Sequence, residues 1–284
     1  MTAVPLAQRN RFELLAMEAV SDPVLDLLAS HASCRSYRPD PLPPGTLERL
    51  MVAGQSAPTS SNLQAYSVVA VEDPARKEAL MALCGNQRMI KECPLFLVFC
   101  PDIHRLHYVC ARQGYPFGAA FLEMFLLASV DAALVAQNVA TAAEAMGLGS
   151  CMCGSIRNDP QAVIELLELP PGVFALVGLC VGYPAKPLEV KARLPIETIL
   201  HHERYSTDDM ESGVHAYDRL MAAGRTYDGR RVSISGEPDT SRDDSYGWAE
   251  HTARRLTRPE TIAASASLRE NLRRILEAHG WSFQ

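Results

Sequence analysis

Two short basic segments lie about 150 residues apart in the chain, and the first also carries a hydroxyl side chain. The first contains His31, Ser33 and Arg35, and the second contains Lys191 and Arg193. A phosphate monoester is bound by planar guanidinium donors, by hydroxyl donors and by the point charge of a lysine. Because the two segments together supply all three kinds of donor, we predict that both bind the phosphate of one cofactor.

The composition limits the class of protein. The chain has 284 residues, of which 48% are hydrophobic and 21% charged, as expected of one large globular domain or two small ones. The net charge of −6 argues against a nucleic-acid surface, which would be basic. Eight cysteines without a regular framework, and an N-terminus without a secretory pattern, predict free thiols in the cytoplasm.

The most apolar long stretch covers residues 118–147 and is interrupted by Glu123, Asp131 and Glu144. Carboxylates are costly inside a lipid bilayer. We therefore predict a buried core helix here and no association with a membrane.

Apolar periodicity predicts alternating helices and strands up to about residue 195. Strands are expected at 68–71, 96–100 and 173–181, with a strand or turn at 151–153, and helices at 12–30, 47–53, 76–84 and 159–169. Further helices are expected at 214–221 and 248–280, separated by an exposed polar stretch at 225–247. The apolar residues after Pro259 need a partner surface, which a second subunit could provide.

Other chemistries find little support in the sequence. The segment 147–154 has Met152 where a dinucleotide-binding fingerprint needs glycine, and it follows a helix instead of a strand. Neither the cysteines nor the histidines have the spacing of a zinc site. Ser155 lacks the flanking glycine of a nucleophile elbow. We therefore predict no metal and no catalytic nucleophile.

An ordered series of short segments resembles the bacterial FMN-dependent nitroreductase superfamily, most closely its NADPH-dependent, oxygen-insensitive nitroreductase and flavin reductase group. The matching segments are 31–35, 59–64, 85–87, 99–100, 131–138, 147–149, 154–158, 178–182 and 191–195. The resemblance implies an α+β fold with a mixed central sheet wrapped by helices, a C-terminal helical extension, and a homodimer. It also implies an N-terminal helical extension at 1–30, an FMN-binding core at 31–202, and a C-terminal region at 203–284 for NADPH contact and dimer wrapping.

The same resemblance assigns cofactor contacts to individual residues. His31, Ser33, Lys191 and Arg193 would bind the phosphate and ribityl end of FMN, and Arg35 would lie near the pyrimidine edge. The remaining flavin contacts would be Ser60, Ser61, Asn62, Gln64, Gln87, Met152, Cys153, Gly154 and Ser155. In this group an arginine-bearing stretch recognises the 2′-phosphate of NADPH, and the arginines in the corresponding stretch here are Arg225, Arg230, Arg231 and Arg242.

The activity implied is a ping-pong transfer of hydride from NADPH through FMN to a small acceptor such as a nitroaromatic, a quinone or free flavin. The flavin supplies this chemistry, so no catalytic side chain is expected. Asn62, Met152, Ser155 and Ala192 depart from the family pattern, which leaves substrate preference open. Two alternatives are a specialised enzyme of the same fold, for reductive dehalogenation or biosynthetic dehydrogenation, and a non-catalytic flavin-binding sensor.

Overall fold

The computed structural model describes residues 22–119, 121–234, 236, 244–257 and 271–283. The chain divides into two compact units. The core unit is His31–Glu189 with Ser267–Gln284, and the arginine-bearing unit is Val190–Ala266 with Met1–Ser30. This boundary differs from the one expected at residue 202. Residues 12–21 of the first predicted helix, Arg242, and residues 259–270 of the last predicted helix lie outside the described residues.

A four-stranded sheet forms the centre of the core unit. Its strands are β1 (Tyr66–Val71), β2 (Leu95–Pro101), β3 (Gly149–Cys153) and β4 (Val177–Gly182), in the order β1-β2-β4-β3. Every residue of β2 is buried, as its continuous apolar run predicts. The α+β fold class is confirmed. All three strand pairs are antiparallel, so the mixed pairing that was expected is not found in the described part of the chain.

Helices surround this sheet. In the core unit they are α2 (Thr46–Gln55), α3 (Pro74–Leu83), α4 (Met89–Glu92), α5 (His104–Gln113), α6 (Leu122–Ala145), α7 (Pro160–Leu166) and α10 (Leu272–Ala278), with 3-10 turns at Ser60–Asn62 and Gly154–Arg157. The arginine-bearing unit contains α1 (Pro23–Ala29), α8 (Met210–Ala223), α9 (Trp248–Thr257) and a 3-10 turn at Ile196–Thr198. Aspartates cap several helix N-termini; for example, Asp22 Oδ1 accepts the Val24 N–H at 2.9 Å.

Helix α6 packs one face on the sheet through small and branched residues such as Ala132, Val135 and Val139. The opposite face is exposed, so the prediction of a buried helix holds for one side only. Large apolar side chains recur there at every fourth position: Leu122, Leu126, Val130 and Leu134. By length and composition alone α6 could cross a membrane, a property that core helices share.

The C-terminal residues close one end of the core unit. Ile275 and Leu276 of α10 are buried, and Trp281 packs edge-on against Phe125 with ring centroids 5.0 Å apart. The apolar partner surface expected for this helix is supplied, in its described part, by residues of the same chain and not by a second subunit.

Candidate functional site

The first basic segment lies beside strand β3, and its residues alternate between buried and accessible. Ala32 and Cys34 are buried, whereas His31 and Ser33 are half-buried and Arg35 is exposed. The Cys34 N–H donates to the Ser150 carbonyl at 2.8 Å, which fixes the segment against the edge of the sheet. Alternation in an extended backbone places every second side chain on one face. His31, Ser33 and Arg35 therefore share one accessible face, as a common ligand site requires.

A carboxylate near the end of α6 orients the histidine of this segment. His31 Nδ1 lies 2.7 Å from Glu144 Oε1, and the Ser150 hydroxyl donates to the same oxygen at 3.1 Å. The Glu144 side chain is 14% exposed and that of His31 is 34% exposed, so the pair is only partly open to solvent. An ionised carboxylate only accepts hydrogen bonds, so Nδ1 is the protonated nitrogen in this contact.

A second carboxylate of α6 fixes the polar loop at 60–65. Asp131 is 1% exposed and accepts the Ser60 N–H at 3.0 Å and the Ala65 N–H at 3.1 Å. Between these two anchors the backbone of Ser61, Asn62 and Gln64 has φ values of 49°, 55° and 52°. Left-handed backbone is uncommon outside glycine and persists only where the surroundings impose it. Here Asp131 holds both ends of the loop, and Arg105 Nη1 also donates to the Gln64 carbonyl at 3.0 Å.

The loop that Asp131 anchors presents its polar side chains to solvent. Ser60, Ser61, Asn62 and Gln64 are all exposed. Asp131 and Glu144 are 13 positions apart on one helix, a separation of about 20 Å along its axis. Helix α6 thus anchors two of the predicted cofactor segments, one near each carboxylate.

The predicted residues after β3 form a compact polar cluster with Gln87. Gln87 Nε2 donates to the Ser155 hydroxyl at 2.8 Å, and the Ser155 hydroxyl lies 3.1 Å from Cys153 Sγ. Cys153 is buried, whereas Met152 alternates to the other face and is 39% exposed. The structure therefore brings together Gln87, Cys153 and Ser155. Gln87 and Ser155, which form the amide–hydroxyl contact, are 68 positions apart in the sequence.

A buried neighbour, Cys84, changes the acidity of Cys153. The hydrogen bond from the Cys84 thiol lowers the pKa of Cys153 to about 7; the hydrogen bonds from Ser155 act in the same direction and burial acts against both. The same contact raises the pKa of Cys84. Cys153 is thus the thiol of this pair that ionises first, directly beside Ser155.

We expect the Cys153 thiolate to be present above pH 7 and to disappear as the pH falls through about 7. The 240 nm absorbance difference between the protein and Cys153→Ala measures it. Cys84→Ala should move the midpoint upward by a unit or more, whereas Cys110→Ala, on α5, should leave it in place. A midpoint near the ordinary thiol value of about 8.5 in the unmodified protein would contradict this account.

The second basic segment begins the arginine-bearing unit. Arg193 Nη1 donates to the Lys191 carbonyl at 3.3 Å and to the Ala192 carbonyl at 3.2 Å. The Tyr217 hydroxyl of α8 donates to the same Ala192 carbonyl at 3.3 Å, which ties the segment to that helix. Because His31 and Arg193 belong to different units, their convergence on one phosphate stays a prediction.

The three described arginines of the polar stretch differ in their surroundings. Arg225 is 71% exposed and pairs with Asp228 Oδ2 at 2.6 Å. Arg231 is 11% exposed, pairs with Asp228 Oδ1 at 2.8 Å and lies over the Tyr246 ring. Arg230 donates to the Thr226 carbonyl at 2.7 Å. Arg231 therefore stabilises the packing of this stretch, while Arg225 presents its charge to solvent.

Sequence reasoning missed the residues that position the site. Asp131 and Glu144 were noted as obstacles to membrane insertion, and Asp131 also begins the matching segment 131–138, but neither was predicted to position the site. A carboxylate in an apolar helix is itself a signal that a buried donor must meet it. Nothing in the sequence pointed to Cys84 as a neighbour of the site, since its partner Cys153 is far away in the sequence. Among the described residues, no three His, Cys, Asp or Glu side chains could hold a metal ion together.

Comparison with known proteins places this geometry in a family. Residues 28–183 match the model of the nitroreductase family, and residues 191–284 match that of its C-terminal domain. An FMN reductase (NADPH) of Bacillus subtilis is 38% identical over 202 residues, covering 70% of this chain and 81% of the relative. An oxygen-insensitive NADPH nitroreductase of Salmonella typhimurium is 36% identical over 236 residues, covering 82% and 91%.

A solved structure agrees with this assignment. NfrA1 of Bacillus megaterium superimposes with a TM-score of 0.79 at 32% identity, covering 92% of this chain and 99% of that one. The match extends over both the sheet with its helices and the C-terminal region. The chain therefore belongs to the nitroreductase family.

Proposed function

We propose that this protein is an FMN-dependent oxidoreductase that takes reducing equivalents from NADPH and delivers them to nitroaromatics, quinones or free flavin. The observation that carries the proposal is the match to relatives named as an FMN reductase (NADPH) and an NADPH nitroreductase, along most of their lengths. Bound FMN would supply the hydride-transfer chemistry of a ping-pong sequence, with NADPH as the reductant and the acceptor entering after the nicotinamide has left.

The residues of the core unit fit the demands of FMN. The accessible face of His31, Ser33 and Arg35 offers an imidazole, a hydroxyl and a guanidinium, which suit a phosphate, a polyol and an electron-rich ring edge. The polar loop and the Gln87 cluster offer amides and hydroxyls to the ring and its ribityl chain. We propose Lys191 and Arg193 as further ligands of the phosphate, on the ground of the family resemblance.

Arg35 has a distinct role in the proposal. Burial raises the pKa of the Cys34 and Cys151 thiols, and the charge of Arg35 partly offsets that rise at each of them, so Arg35 lies beside β3. A fixed guanidinium near the pyrimidine edge stabilises the negative charge that accumulates there on reduction. The protein therefore contributes positioning and electrostatics, and no side chain has to transfer a hydride.

The exposed apolar stripe on α6 supports the proposal of a homodimer. Leu122, Leu126, Val130 and Leu134 are each between 39% and 56% exposed and lie at four-residue spacing on one face. Contiguous apolar surface of this kind marks an interface more often than a free surface. We further propose a cytoplasmic location, in keeping with eight cysteines that are all free thiols.

Purification under native conditions tests the function. We expect a yellow protein whose flavin absorbance is bleached by NADPH under anaerobic conditions and restored by nitrofurazone or a quinone. A colourless protein that takes up no added FMN would overturn the proposal. Bleaching without multiple turnover on any of these acceptors would overturn the assigned acceptors and leave FMN binding intact.

Replacing Glu144 by glutamine should weaken FMN binding about tenfold, equivalent to about 1.4 kcal/mol, because the neutral amide no longer holds the His31 imidazole with a charge-assisted bond. Quenching of FMN fluorescence on titration measures the affinity. Glu123→Gln, an exposed carboxylate on the same helix, is the matched control and should bind FMN normally. Equal affinities for the two variants would refute the role of Glu144.

Replacing Arg193 by alanine should cost FMN binding about 1.5–3 kcal/mol, the range for hydrogen bonds to charged groups. Riboflavin, which lacks the phosphate, should bind the variant and the unmodified protein equally. The comparison of FMN with riboflavin in the same titration therefore isolates the phosphate contact. An equal loss for both ligands would assign Arg193 to the structure of its unit instead.

A further inference from the structure

The carboxylate of Asp228 bridges two arginines of very different exposure. Its Oδ1 accepts from Arg231 at 2.8 Å and its Oδ2 from Arg225 at 2.6 Å. Arg231 is 11% exposed and also lies over the Tyr246 ring at 5.0 Å, so this side of the bridge is held by packing. Arg225 is 71% exposed and has no such support in the described contacts. The bridge is therefore fixed at Arg231 and open to solvent at Arg225.

A carboxylate and a phosphate present similar oxygen pairs to a guanidinium. The Asp228 carboxylate thus holds the position on Arg225 that an incoming phosphate oxygen would take. Its charge raises the pKa of Arg225, and the two arginines lower the pKa of Asp228, so both partners stay ionised at neutral pH. A dianionic phosphate that approaches Arg225 must displace this carboxylate or lie beside it. Either arrangement reduces the free energy that the phosphate gains by binding Arg225.

We propose that Asp228 weakens the preference for NADPH over NADH by competing with the 2′-phosphate for Arg225. This inference rests on the proposed function, in which NADPH is the reductant and Arg225 a ligand of its 2′-phosphate. NADH carries a hydroxyl at this position and has no charge to compete for the arginine. Asp228 is thus a specificity-determining residue that lowers the discrimination between NADPH and NADH. In this role it contacts neither the flavin nor the transferred hydride.

The neighbouring groups support this division of roles. Arg230 donates through Nε and Nη2 to the Thr226 carbonyl and lies near the Tyr227 ring, so its guanidinium is already oriented by its own loop. Tyr227 in turn stacks on His251 at 4.0 Å, which anchors the loop to α9. The loop around Asp228 is therefore held by contacts that do not involve the Asp228–Arg225 pair, and that pair can open without unfolding it.

The substitution Asp228→Asn tests the proposal, because asparagine keeps an acceptor oxygen for Arg231 and removes the charge. We expect the ratio of kcat/KM for NADPH to that for NADH to rise about twofold to fivefold, the effect of one exposed ion pair. The equilibrium affinity for NADP⁺ relative to NAD⁺ should rise by the same factor, measured by calorimetry. The gain should shrink as salt is added, since screening weakens exposed pairs.

Two further variants complete the test. Asp208→Asn removes an exposed charge elsewhere in the same unit and should leave the ratio unchanged. In an Arg225→Ala background, Asp228→Asn should have no effect on the ratio. An unchanged or lower ratio in Asp228→Asn, with normal FMN content and melting temperature, would overturn the inference and leave the oxidoreductase function intact. A protein that binds FMN but neither nucleotide would instead overturn the proposed use of NADPH, and this inference with it.

Discussion

Replacing Asp131 by alanine should abolish retention of FMN and lower the free energy of unfolding by about 3–5 kcal/mol, the cost of breaking a buried charged network. The carboxylate is 1% exposed and accepts two backbone N–H groups, from Ser60 and Ala65. Alanine would remove the acceptor of both donors and leave the buried Ala65 N–H without its partner, so the left-handed backbone between them would lose both of its anchors on α6. Urea unfolding and FMN fluorescence measure the two effects.

Two other variants separate a positioning role from a general loss of stability. Asp131→Asn keeps one acceptor oxygen but turns an NH₂ group toward the second donor, so we expect about half of the loss in stability and a clear loss of FMN affinity. Glu123→Ala, on the exposed part of the same helix, should change neither quantity by more than about 0.5 kcal/mol. Normal FMN affinity in a folded Asp131→Ala protein would show that the loop keeps its shape without this carboxylate.

Local patterns in the sequence were sufficient for the elements that local physics decides. The continuous apolar run from Phe96 to Cys100 predicts a strand buried on both faces, and β2 is such a strand. The apolar stretch at 118–147 predicts a long helix, and α6 covers most of it. The alternation of residues in 31–35 separates accessible from buried side chains, and a pattern this short is visible in the sequence.

The contacts that assemble the site could not be predicted from one sequence, because they join distant residues. His31 meets Glu144 across 113 positions, and the Ser60 N–H meets Asp131 across 71. Periodicity reports on neighbours three or four residues away and carries no information on such pairs. The resemblance to a family identified which residues to examine, but it did not indicate the carboxylates beneath them.

The exposed side of α6 shows a second limit of sequence reasoning. Its apolar residues are so frequent that no single face stands out, and the sequence therefore predicts burial all round. In the structure the small residues, such as Ala128 and Ala132, contact the core, and the larger Leu126 and Val130 face outward. Close packing of the helix on the sheet favours small side chains on the inner face. Small residues therefore allow part of the inner face to approach the sheet closely, while several large apolar side chains stay on the outer face.

Gly149 on β3 should tolerate no side chain, and its substitution should damage the cofactor site as well as the fold. A Cβ atom there would lie 2.6 Å from Cys34 Cβ, 2.9 Å from Cys34 Sγ and 3.0 Å from Pro184 Cγ. Gly149→Ala must therefore displace Cys34, and Ser33 and Arg35 move with it. We expect a loss of about 1–3 kcal/mol in unfolding free energy from overpacking, together with at least about a tenfold loss in FMN affinity.

Because the close approach of Gly149 to Cys34 causes the expected losses, a second substitution at Cys34 should reverse part of them. Cys34→Gly removes both of the nearest atoms, so the double variant Gly149→Ala/Cys34→Gly should recover part of the stability and FMN affinity that Gly149→Ala loses. Gly118→Ala, at a position where an added Cβ meets nothing within 4 Å, is the control and should behave as the unmodified protein does. Additive losses in the double variant would mean that the clash with Cys34 is not the cause of the losses in stability and FMN affinity. Recovery of FMN affinity would instead show that the spacing between β3 and the 31–35 segment sets the geometry of its accessible side chains.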